Sequence, residues 1–251
     1  MANEQVFLHR AEHYANGRLG YADGVSELLM HDILKPNDIV ADIGSGTGIF
    51  ARQMIEHGFN VFCVEPNEDM HVQAEKAFVG NPHFISVAAS AEATTLGEHS
   101  TDVVTAASAF HWFDAERFQA ECNRILKPGG ILFVVFNARD YGDPFTLRQH
   151  ALCMEFCKGF TSLRHGLNRS VPKLEALFGA HLNHAEFDFP LAYTKEQFLQ
   201  RCLSSSYAPE PDTATYQGYI DGLRALMDEF VFDDDKIIVP NISVAYWGSL
   251  S

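Results

Sequence analysis

Between residues 38 and 137, short apolar runs alternate with longer stretches in which apolar residues recur at a helical period. The short runs are apolar on both faces, which is typical of strands buried in a parallel sheet between two layers of helices. The pattern predicts five strands: Ile39–Ile43, Asn60–Glu65, His83–Ala88, Asp102–Ala107 and Ile131–Phe136. It predicts three helices between them: Ile49–His57, Glu68–Val79 and Asp114–Leu126. Lys127 to Gly130 is predicted as a turn, because proline ahead of glycine suits a type II turn.

Past residue 137 the alternation is less regular. Helices are predicted at Phe145–Phe160, Val171–Phe178, Lys195–Leu203 and Thr215–Phe230. Strands are predicted at Ala185–Leu191 and over Lys236–Trp247, where Pro240 interrupts the second one. We interpret this region as an excursion whose late strands return to the same sheet, and not as an independent domain.

Charge and composition restrict the classes of partner. The chain has 18 Lys and Arg against 33 Asp and Glu, a formal charge of −15, and its basic residues never form a run. Such a charge repels phosphate backbones and disfavours a nucleic-acid partner. The longest apolar run, Ile131–Phe136, is far too short to span a bilayer. Met1–Gln5 has no signal-peptide pattern, so a cytoplasmic protein is expected.

The cysteines are interpreted as buried, reduced thiols, because their number is odd and no CxxC pair occurs. They are Cys63, Cys122, Cys153, Cys157 and Cys202. No metal site is predicted, since neither these residues nor the scattered histidines show ligand spacing.

The most informative stretch is a glycine-rich loop between the first strand and the first helix. Gly44, Gly46 and Gly48 occupy alternate positions directly after Asp42 and Ile43. Glycines let the backbone turn sharply and let a ligand approach it, and the helix that follows offers free N–H groups. A dinucleotide-binding loop has the spacing G-x-G-x-x-G or A, whose third position here is Ile49, so the spacing argues against a dehydrogenase.

A second acidic residue ends the next strand. Glu65 follows Gly44 by 65 − 44 = 21 residues, the distance at which a carboxylate reaches the two hydroxyls of a bound ribose. Asp42 and Glu65 are therefore expected at the same edge of the sheet, in the crevice where such sheets bind ligands.

Four motifs in order carry a family resemblance. They are Asp42–Gly48, Val64–Met70, Ala107–Asp114 and Arg124–Gly130. Together they resemble the class I S-adenosylmethionine-dependent methyltransferases, in particular the type 11 small-molecule branch that includes trans-aconitate-methyltransferase-like proteins. The resemblance implies a Rossmann-like fold: a doubly wound, mostly parallel seven-stranded sheet with a helical insertion over the substrate. On this basis 1–251 is predicted to be one domain, with an N-terminal helical cap (1–37), a cofactor-binding core (38–137), a lid-like insertion (138–183) and late strands and helices (184–251).

The resemblance implies S-adenosylmethionine as the cofactor and assigns residues to it. Gly44, Ser45 and Gly46 would pass under its methionine part, Asp42 would hold its amino group and Glu65 would bind the ribose hydroxyls. Residues near the adenine would be Pro66, Met70, Ser90, Ala91 and Glu92, with the ring read by the Ala91 N–H. Ser108 and Ala109 would lie beside the sulfonium.

Candidates for chemistry follow the fourth strand. His111 is a possible general base, because its usual pKa is near neutrality. The alternative is that His111, Trp112 and Phe113 form an aromatic wall of the substrate pocket, and we favour the wall. Asp140 is a second possible base, although a loop-capping role suits an aspartate there.

Further candidates come from the start of the chain and from the end of the fifth strand. Tyr14 and Arg18 are assigned to the cofactor, where Arg18 would pair with a carboxylate unless it is an ordinary surface arginine. Tyr21, Trp112 and Arg139 are assigned to the substrate.

The sequence therefore predicts transfer of a methyl group to a small molecule, a carboxylate or another polar metabolite, by a monomer or homodimer. A cofactor-binding scaffold that has lost catalysis would keep the same motifs and stays open. A nucleic-acid methyltransferase is disfavoured by the charge and by Ser108–Trp112, because that class has a polar residue followed by paired prolines there and this segment contains no proline.

Overall fold

The computed structural model describes residues 20–205, 207–232 and 236–250. Contacts divide the chain into two compact units. Unit 1 takes the described residues of 1–136, 166–187 and 243–251, and unit 2 takes those of 137–165 and 188–242. The sequence-based division into one domain with a lid at 138–183 stays a prediction.

The helices are α1 (Asp23–Glu27), α2 (Ile49–Glu56), α3 (Glu68–Ala77), α4 (Ala115–Ile125), α5 (Pro144–Phe156), α6 (His165–Phe178), α7 (Lys195–Leu203) and α8 (Tyr216–Glu229). The strands are β1 (Ile39–Ile43), β2 (Asn60–Val64), β3 (Phe84–Val87), β4 (Thr101–Ala107), β5 (Leu126–Arg139), β6 (Asn183–Asp188), β7 (Leu191–Thr194), β8 (Val231–Phe232), β9 (Lys236–Val239) and β10 (Asn241–Gly248). A π-helix (Leu28–Ile33) follows α1, and short 3₁₀ helices lie at Phe110–Trp112 and Gly179–His181.

Seven strands of the described residues form one sheet in the order β3-β2-β1-β4-β5-β10-β6. The neighbouring pairs from β3 to β5 are all parallel, with Asp42 beside Cys63 on one side and Thr105 on the other. The predicted doubly wound, mostly parallel sheet is confirmed. Its strands are apolar on both faces because helices cover both sides, as the sequence pattern requires.

Side-chain caps fix where two of the covering helices begin. Asn67 accepts a hydrogen bond from the Met70 N–H at the start of α3, and Asp114 accepts one from the Arg117 N–H at the start of α4. Each cap satisfies one of the backbone N–H groups that a helix N-terminus leaves without a partner. Both helices therefore begin just beyond a strand, at the edge of the sheet that also carries the glycine loop.

The predicted turn at Lys127–Gly130 is an irregularity within β5. Leu126 pairs with Thr101 and Ile131 with Val103, so the residues between them bulge out of the ladder. Gly129 has φ +80°, which a residue with a Cβ adopts only at a cost. The prediction of a separate turn was wrong because the strand continues on both sides of the bulge.

The prediction of one strand over Ala185–Leu191 was also wrong. Pro190 lacks the N–H that a ladder needs, and the chain forms β6 before it and β7 after it, in different sheets. Helix α6 begins at His165, six residues before the predicted Val171, and contains Pro172 in its interior. Pro240 interrupts the last predicted strand, as expected, since β9 and β10 flank it. The expected return of all late strands to one sheet was wrong, because β7 and β9 join the three-stranded sheet whereas β6 and β10 join the seven-stranded one.

Unit 2 contains a three-stranded antiparallel sheet in the order β7-β9-β8 and the helices α5, α7 and α8. Its core is built mainly from aromatic and aliphatic side chains: Phe145, Phe198, Tyr219, Leu223, Leu226, Ile237 and Val239. Helices α5 and α8 pack closely, because a Cβ at Gly218 would lie 2.6 Å from Phe156 and one at Gly222 would lie 2.6 Å from Leu152.

Within the described ranges, no helix is long and apolar enough to cross a membrane, and no group of three or more His, Cys, Asp or Glu side chains could hold a metal ion. The five cysteines, all described, are buried and free, and burial raises the pKa of each thiol.

Candidate active site

The glycine loop leaves the end of β1 and enters α2 through three residues with positive φ. Gly44, Gly46 and Gly48 have φ of +68°, +58° and +81°. At Gly44 a side chain is disfavoured by the positive φ and also by lack of space, because a Cβ there would lie 2.7 Å from the Ala109 Cβ. At Gly48 a Cβ would lie 2.5 Å from the Phe78 ring. These glycines allow the loop to pack against the segment after β4 and against the end of α3.

Glu65 closes the loop from the neighbouring strand. Its Oε2 accepts a hydrogen bond of 2.9 Å from the Gly46 N–H, and its Oε1 accepts one of 2.8 Å from the Asn67 N–H. Burial raises the pKa of Glu65, although both hydrogen bonds and nearby His71 oppose that rise. The second acid predicted from the spacing thus lies directly against the glycine loop.

Asp42 lies at the end of β1, fully buried. Its Oδ1 accepts a hydrogen bond of 2.7 Å from the Thr105 hydroxyl of β4, and its Oδ2 has no hydrogen-bond partner within the described residues. Burial raises the pKa of Asp42 to about 7, the Thr105 hydrogen bond lowers it, and the charge of Glu65 raises it. A buried carboxylate oxygen without a partner carries a desolvation cost that a cationic ligand group would offset.

Two further buried oxygens belong to the loop itself. The hydroxyls of Ser45 and Thr47 have no hydrogen-bond partner in the described part of the chain. Together with Asp42 Oδ2 they give the loop several polar atoms that lack a partner, although buried polar groups normally have one. This donor and acceptor set fits the predicted amino and carboxylate groups of a bound amino acid.

The residues assigned to the adenine have mixed environments. Met70 is buried, and its sulfur would lie 3.8 Å from a Cβ at Gly46, whereas Pro66 is exposed. Ala91 is buried in a tight turn closed by the Ser90–Ala93 bridge. Glu92 accepts a hydrogen bond of 3.0 Å from the Asp114 N–H, so its carboxylate is engaged with the start of α4.

Ser108 and Tyr21 are joined although 87 residues separate them. The Tyr21 hydroxyl donates a hydrogen bond of 3.0 Å to Ser108 Oγ, and its ring packs edge-on against Phe50 at 5.0 Å between centroids. Ser108 has φ +52°, a conformation that is strained for a residue with a Cβ. A predicted substrate residue and a predicted cofactor residue are therefore neighbours.

His111 and Trp112 lie in a short 3₁₀ helix just past β4. The His111 ring is 4.9 Å from the Trp112 ring and 6.2 Å from the Phe136 ring, measured between centroids. Trp112 is 39% exposed, which is unusual for a tryptophan. These ring contacts are compatible with the predicted aromatic wall, and the choice between wall and general base stays a prediction.

Arg139 and Asp140 belong to unit 2, unlike the other described candidates. Asp140 Oδ1 accepts a hydrogen bond of 2.8 Å from the Gly142 N–H, which matches the loop-capping alternative. Arg139 is buried and donates from Nη1 to the Asn241 side chain. Tyr14 and Arg18 lie outside the described residues.

Thr105 and Asn67 are functional candidates that sequence reasoning missed. The Thr105 hydroxyl donates to Asp42, and Asn67 donates its N–H to Glu65 and caps α3. The Phe113 ring, predicted as part of the aromatic wall, lies 3.1 Å from where a Gly44 Cβ would be. No signal in the sequence marks Thr105, because its partner Asp42 lies 63 residues away.

Comparisons with known proteins agree with this geometry. Residues 41–134 match the family described as "Methyltransferase domain". An uncharacterized methyltransferase of Mycobacterium tuberculosis is 33% identical over 127 residues, 51% of this chain and 50% of that protein. An uncharacterized methyltransferase-like protein of Schizosaccharomyces pombe is 33% identical over 129 residues, 51% of this chain and 49% of that protein. The match spans about half the length of these relatives.

The fold also has a solved counterpart. A protein of Anaeromyxobacter dehalogenans assigned to the type II methyltransferases superimposes with a TM-score of 0.67 at 22% identity, covering 92% of this chain and 97% of that one. At this identity the likeness concerns the fold alone. Residues 41–134 are thus similar to a methyltransferase domain, and the chain has a Rossmann-like methyltransferase fold.

Proposed function

We propose that the protein transfers a methyl group from S-adenosylmethionine to a small-molecule acceptor, a carboxylate or another polar metabolite. One observation carries the proposal: at adjoining strand ends, Glu65 closes the glycine loop while the fully buried Asp42 leaves Oδ2 without a partner among the described residues. A phosphate-binding loop would present backbone N–H groups to an anion and would not place two acids beside them. The acids favour a ligand with a cationic group and hydroxyls.

Different residues would bind different parts of the cofactor. Asp42 would hold the ammonium of the methionine part, with Ser45 and Thr47 as further polar contacts. Glu65 would accept hydrogen bonds from the ribose hydroxyls, and Met70 and Ala91 would pack near the adenine. Bound S-adenosylmethionine supplies a methyl group already activated on a sulfonium, and in-line transfer to the acceptor leaves S-adenosylhomocysteine.

The segment after β4 would face the acceptor. Because the donor is already activated, orientation of the acceptor supplies much of the rate and a base is needed only for a weakly acidic acceptor. Trp112 and His111 would contribute an aromatic wall that excludes water, and the Tyr21–Ser108 pair would hold the loop beside them. The formal charge of −15 further favours a small molecule over a nucleic acid.

Thermal unfolding with candidate ligands tests cofactor binding. S-adenosylhomocysteine should raise the Tm of the wild-type protein, since a ligand that binds only the folded state stabilises it. NAD should leave the Tm unchanged. Equal shifts with both compounds, or no shift with either, contradict the proposal.

Turnover is tested separately from binding. The protein is incubated with S-adenosylmethionine and fractionated small-molecule extracts, and formation of S-adenosylhomocysteine above the extract-free rate is measured. Fraction-dependent formation that Glu65→Ala abolishes supports the enzyme. Binding of S-adenosylhomocysteine without turnover in any fraction would favour the scaffold alternative.

A further inference from the structure

Thr105 brings a hydroxyl to the acidic side chain of β1. Asp42 and Thr105 are register partners in the parallel ladder between β1 and β4, so their side chains leave the sheet on the same face. The Thr105 hydroxyl donates a hydrogen bond of 2.7 Å to Asp42 Oδ1, and both side chains are fully buried. A donor bound to a buried carboxyl group favours its ionised form.

The ionisable neighbours of Asp42 in the described residues come from β2 and its end. Cys63 is the register partner of Asp42 on that side, and Glu65 follows two residues later and accepts a hydrogen bond from the Gly46 N–H of the loop after Asp42. Burial and the charge of Asp42 hold the pKa of the Cys63 thiol well above its usual value, so this thiol is neutral near pH 7. His71 of α3 acts on Glu65, whose charge acts on Asp42.

These neighbours oppose one another in their effect on Asp42. Burial and the charge of Glu65 favour the protonated carboxyl group, whereas the Thr105 hydroxyl favours the ionised one, and together they give Asp42 a pKa of about 7. A group with this pKa is partly ionised at neutral pH, so the loss of the Thr105 contact would leave it mostly protonated there. A protonated Asp42 would not attract the cationic ammonium group that the proposed function assigns to it.

The same hydrogen bond restricts how the carboxyl group turns. The last torsion of an aspartate side chain is soft, whereas threonine is stiff at its first torsion because it branches at Cβ. Thr105 is held on both sides of β4, since it pairs with Asp42 in β1 and with Phe133 in β5. Its hydroxyl is therefore a rigid anchor for Oδ1, and because the carboxyl group is planar, the direction of Oδ2 is fixed as well.

We propose that Thr105 is a positioning residue of the cofactor site, where it keeps Asp42 ionised and in one orientation for binding a cationic amino group at neutral pH. The inference rests on the proposed function for the identity of the ligand, and on the contacts between β1 and β4 for everything else. It predicts that loss of the hydroxyl changes the pH range of binding, which the loss of an ordinary buried hydrogen bond would not do.

Two substitutions on β4, made in the full chain, separate positioning from structural support. Thr105→Val removes the hydroxyl and keeps the shape of the side chain. Thr101→Val is the matched control, because Thr101 is equally buried and its hydroxyl donates a hydrogen bond of 3.1 Å to a neutral acceptor, the Ile125 carbonyl oxygen. Thr105→Ser keeps the hydroxyl and tests whether the donor alone restores the wild-type behaviour.

Calorimetry with S-adenosylhomocysteine at pH 6.5 and pH 8.5 measures the effect on binding. Loss of a buried hydrogen bond to a charge should move the midpoint of binding upward by about one pH unit, so the loss of affinity in Thr105→Val should be about sixfold larger at pH 6.5 than at pH 8.5. Thr101→Val and Thr105→Ser should follow the wild type at both pH values. An equal loss of affinity in Thr105→Val at both pH values, an equal pH dependence in Thr101→Val, or a serine variant that behaves as the valine variant does, overturns the proposal.

Urea unfolding without ligand tests Thr105 independently of the cofactor. At pH 6 much of Asp42 is protonated in every protein, whereas at higher pH the folded Thr105→Val variant must ionise Asp42 without its donor. The stability deficit of Thr105→Val relative to the wild type should therefore grow between pH 6 and pH 8.5, and that of Thr101→Val should stay constant. A constant deficit in Thr105→Val overturns the proposal, and Thr105→Ala replaces this variant in both measurements if it does not fold. Absence of S-adenosylhomocysteine binding to the wild type at either pH contradicts the proposed function, and the ligand-free measurement then decides on Thr105 alone.

A double variant assigns the effect to Asp42. When Thr105→Val is added to Asp42→Asn, the affinity for S-adenosylhomocysteine should change by the same factor at pH 6.5 and at pH 8.5, because the group on which the hydroxyl acts no longer titrates. A change that still depends on pH in this background would mean that Thr105 acts on another group, and it overturns the proposal.

Discussion

The Gly46 N–H donates a hydrogen bond of 2.9 Å to Oε2 of Glu65, so the acid that follows β2 holds the glycine loop that follows the neighbouring strand β1. The contact joins two features that lie far enough apart in sequence to be separate motifs. It also makes Glu65 part of the loop's own structure, besides its proposed role toward the ribose.

Replacement of Glu65 with alanine should therefore change both stability and binding. Two buried N–H groups, of Gly46 and Asn67, lose their acceptor, which lowers the free energy of unfolding by about 1–3 kcal/mol. Affinity for S-adenosylhomocysteine, measured by calorimetry, should fall at least about tenfold with the loss of charge-assisted hydrogen bonds. Glu68→Ala, an exposed acid in the first turn of α3, is the control and should change neither quantity by more than about 0.5 kcal/mol. Unchanged affinity in Glu65→Ala would remove the acid from the proposed site.

Asp42 predicts how stability depends on pH. Its pKa in the folded protein is raised from 3.8 to about 7, so between those values the folded state keeps a proton that the unfolded state has released. The free energy of unfolding should therefore fall as pH rises through this window. Urea unfolding across the window should show a shallower fall in Asp42→Asn, with a remainder from Glu65, whose pKa is raised in the same direction. The exposed Asp23→Asn serves as the control, and a wild-type slope in Asp42→Asn contradicts the prediction.

The same titration should affect ligand binding. If Asp42 holds an ammonium group, S-adenosylhomocysteine should bind more tightly as the carboxyl ionises with rising pH around 7. Calorimetry at a series of pH values should show this rise in the wild type and a smaller rise in Asp42→Asn, where only Glu65 remains to titrate. A rise of equal size in both proteins would place the titrating group elsewhere.

Gly44 should tolerate a side chain poorly. Gly44→Ala combines a positive φ with a Cβ 2.7 Å from the Ala109 Cβ, so we expect overpacking of about 1–3 kcal/mol in addition to backbone strain. Gly80→Ala has φ +76° but open space around it, and it isolates the strain alone. Equal losses of unfolding free energy in the two variants would mean that Ala109 moves away from the new Cβ without a measurable cost in stability.

The strained backbone at Ser108 predicts which of two substitutions there leaves the protein more stable. Ser108→Ala loses the hydroxyl partner of Tyr21 and keeps φ at +52°, whereas Ser108→Gly loses the hydroxyl and relieves the strain. The glycine variant should therefore be more stable than the alanine variant by about 1 kcal/mol. At Ser26, inside α1, the order should be reversed, because glycine is the poorer helix former. Urea unfolding of the four variants tests both orders.

Local sequence signals predicted the glycine loop, Asp42 and Glu65. A strand, a turn and a helix that follow one another each require particular residue types, and these residues stand side by side in the sequence. The pairs that organise the rest of the site are distant in sequence. Thr105 lies 63 residues from Asp42, and Tyr21 lies 87 residues from Ser108, so neither contact has a sequence signature. Side-chain partners across a sheet depend on register, which a single sequence does not specify without the order of strands.

The region after β5 was less predictable for a different reason. The strand pattern extends across Pro190 without a change in hydrophobicity. The chain passes from one sheet at β6 to another at β7 because Pro190 lacks a backbone N–H and because each strand pairs with distant parts of the chain. Arg139 is the last residue of β5 and is predicted to bind the substrate, and it belongs to unit 2, whereas His111 belongs to unit 1. A unit boundary falls between Phe136 and Asn137, inside β5, and the strand's hydrophobic pattern does not mark it.

The position of β10 in the sheet has a consequence for how the chain folds as it is synthesised. This strand lies between β5 and β6, although more than fifty residues separate it from β6 in the sequence. Until the ribosome has released residues 241–248, β5 presents an open strand edge and β6 has no neighbour to join. Such edges pair readily with other chains, so the nascent protein passes through a stage that is prone to aggregation and that only its late residues bring to an end.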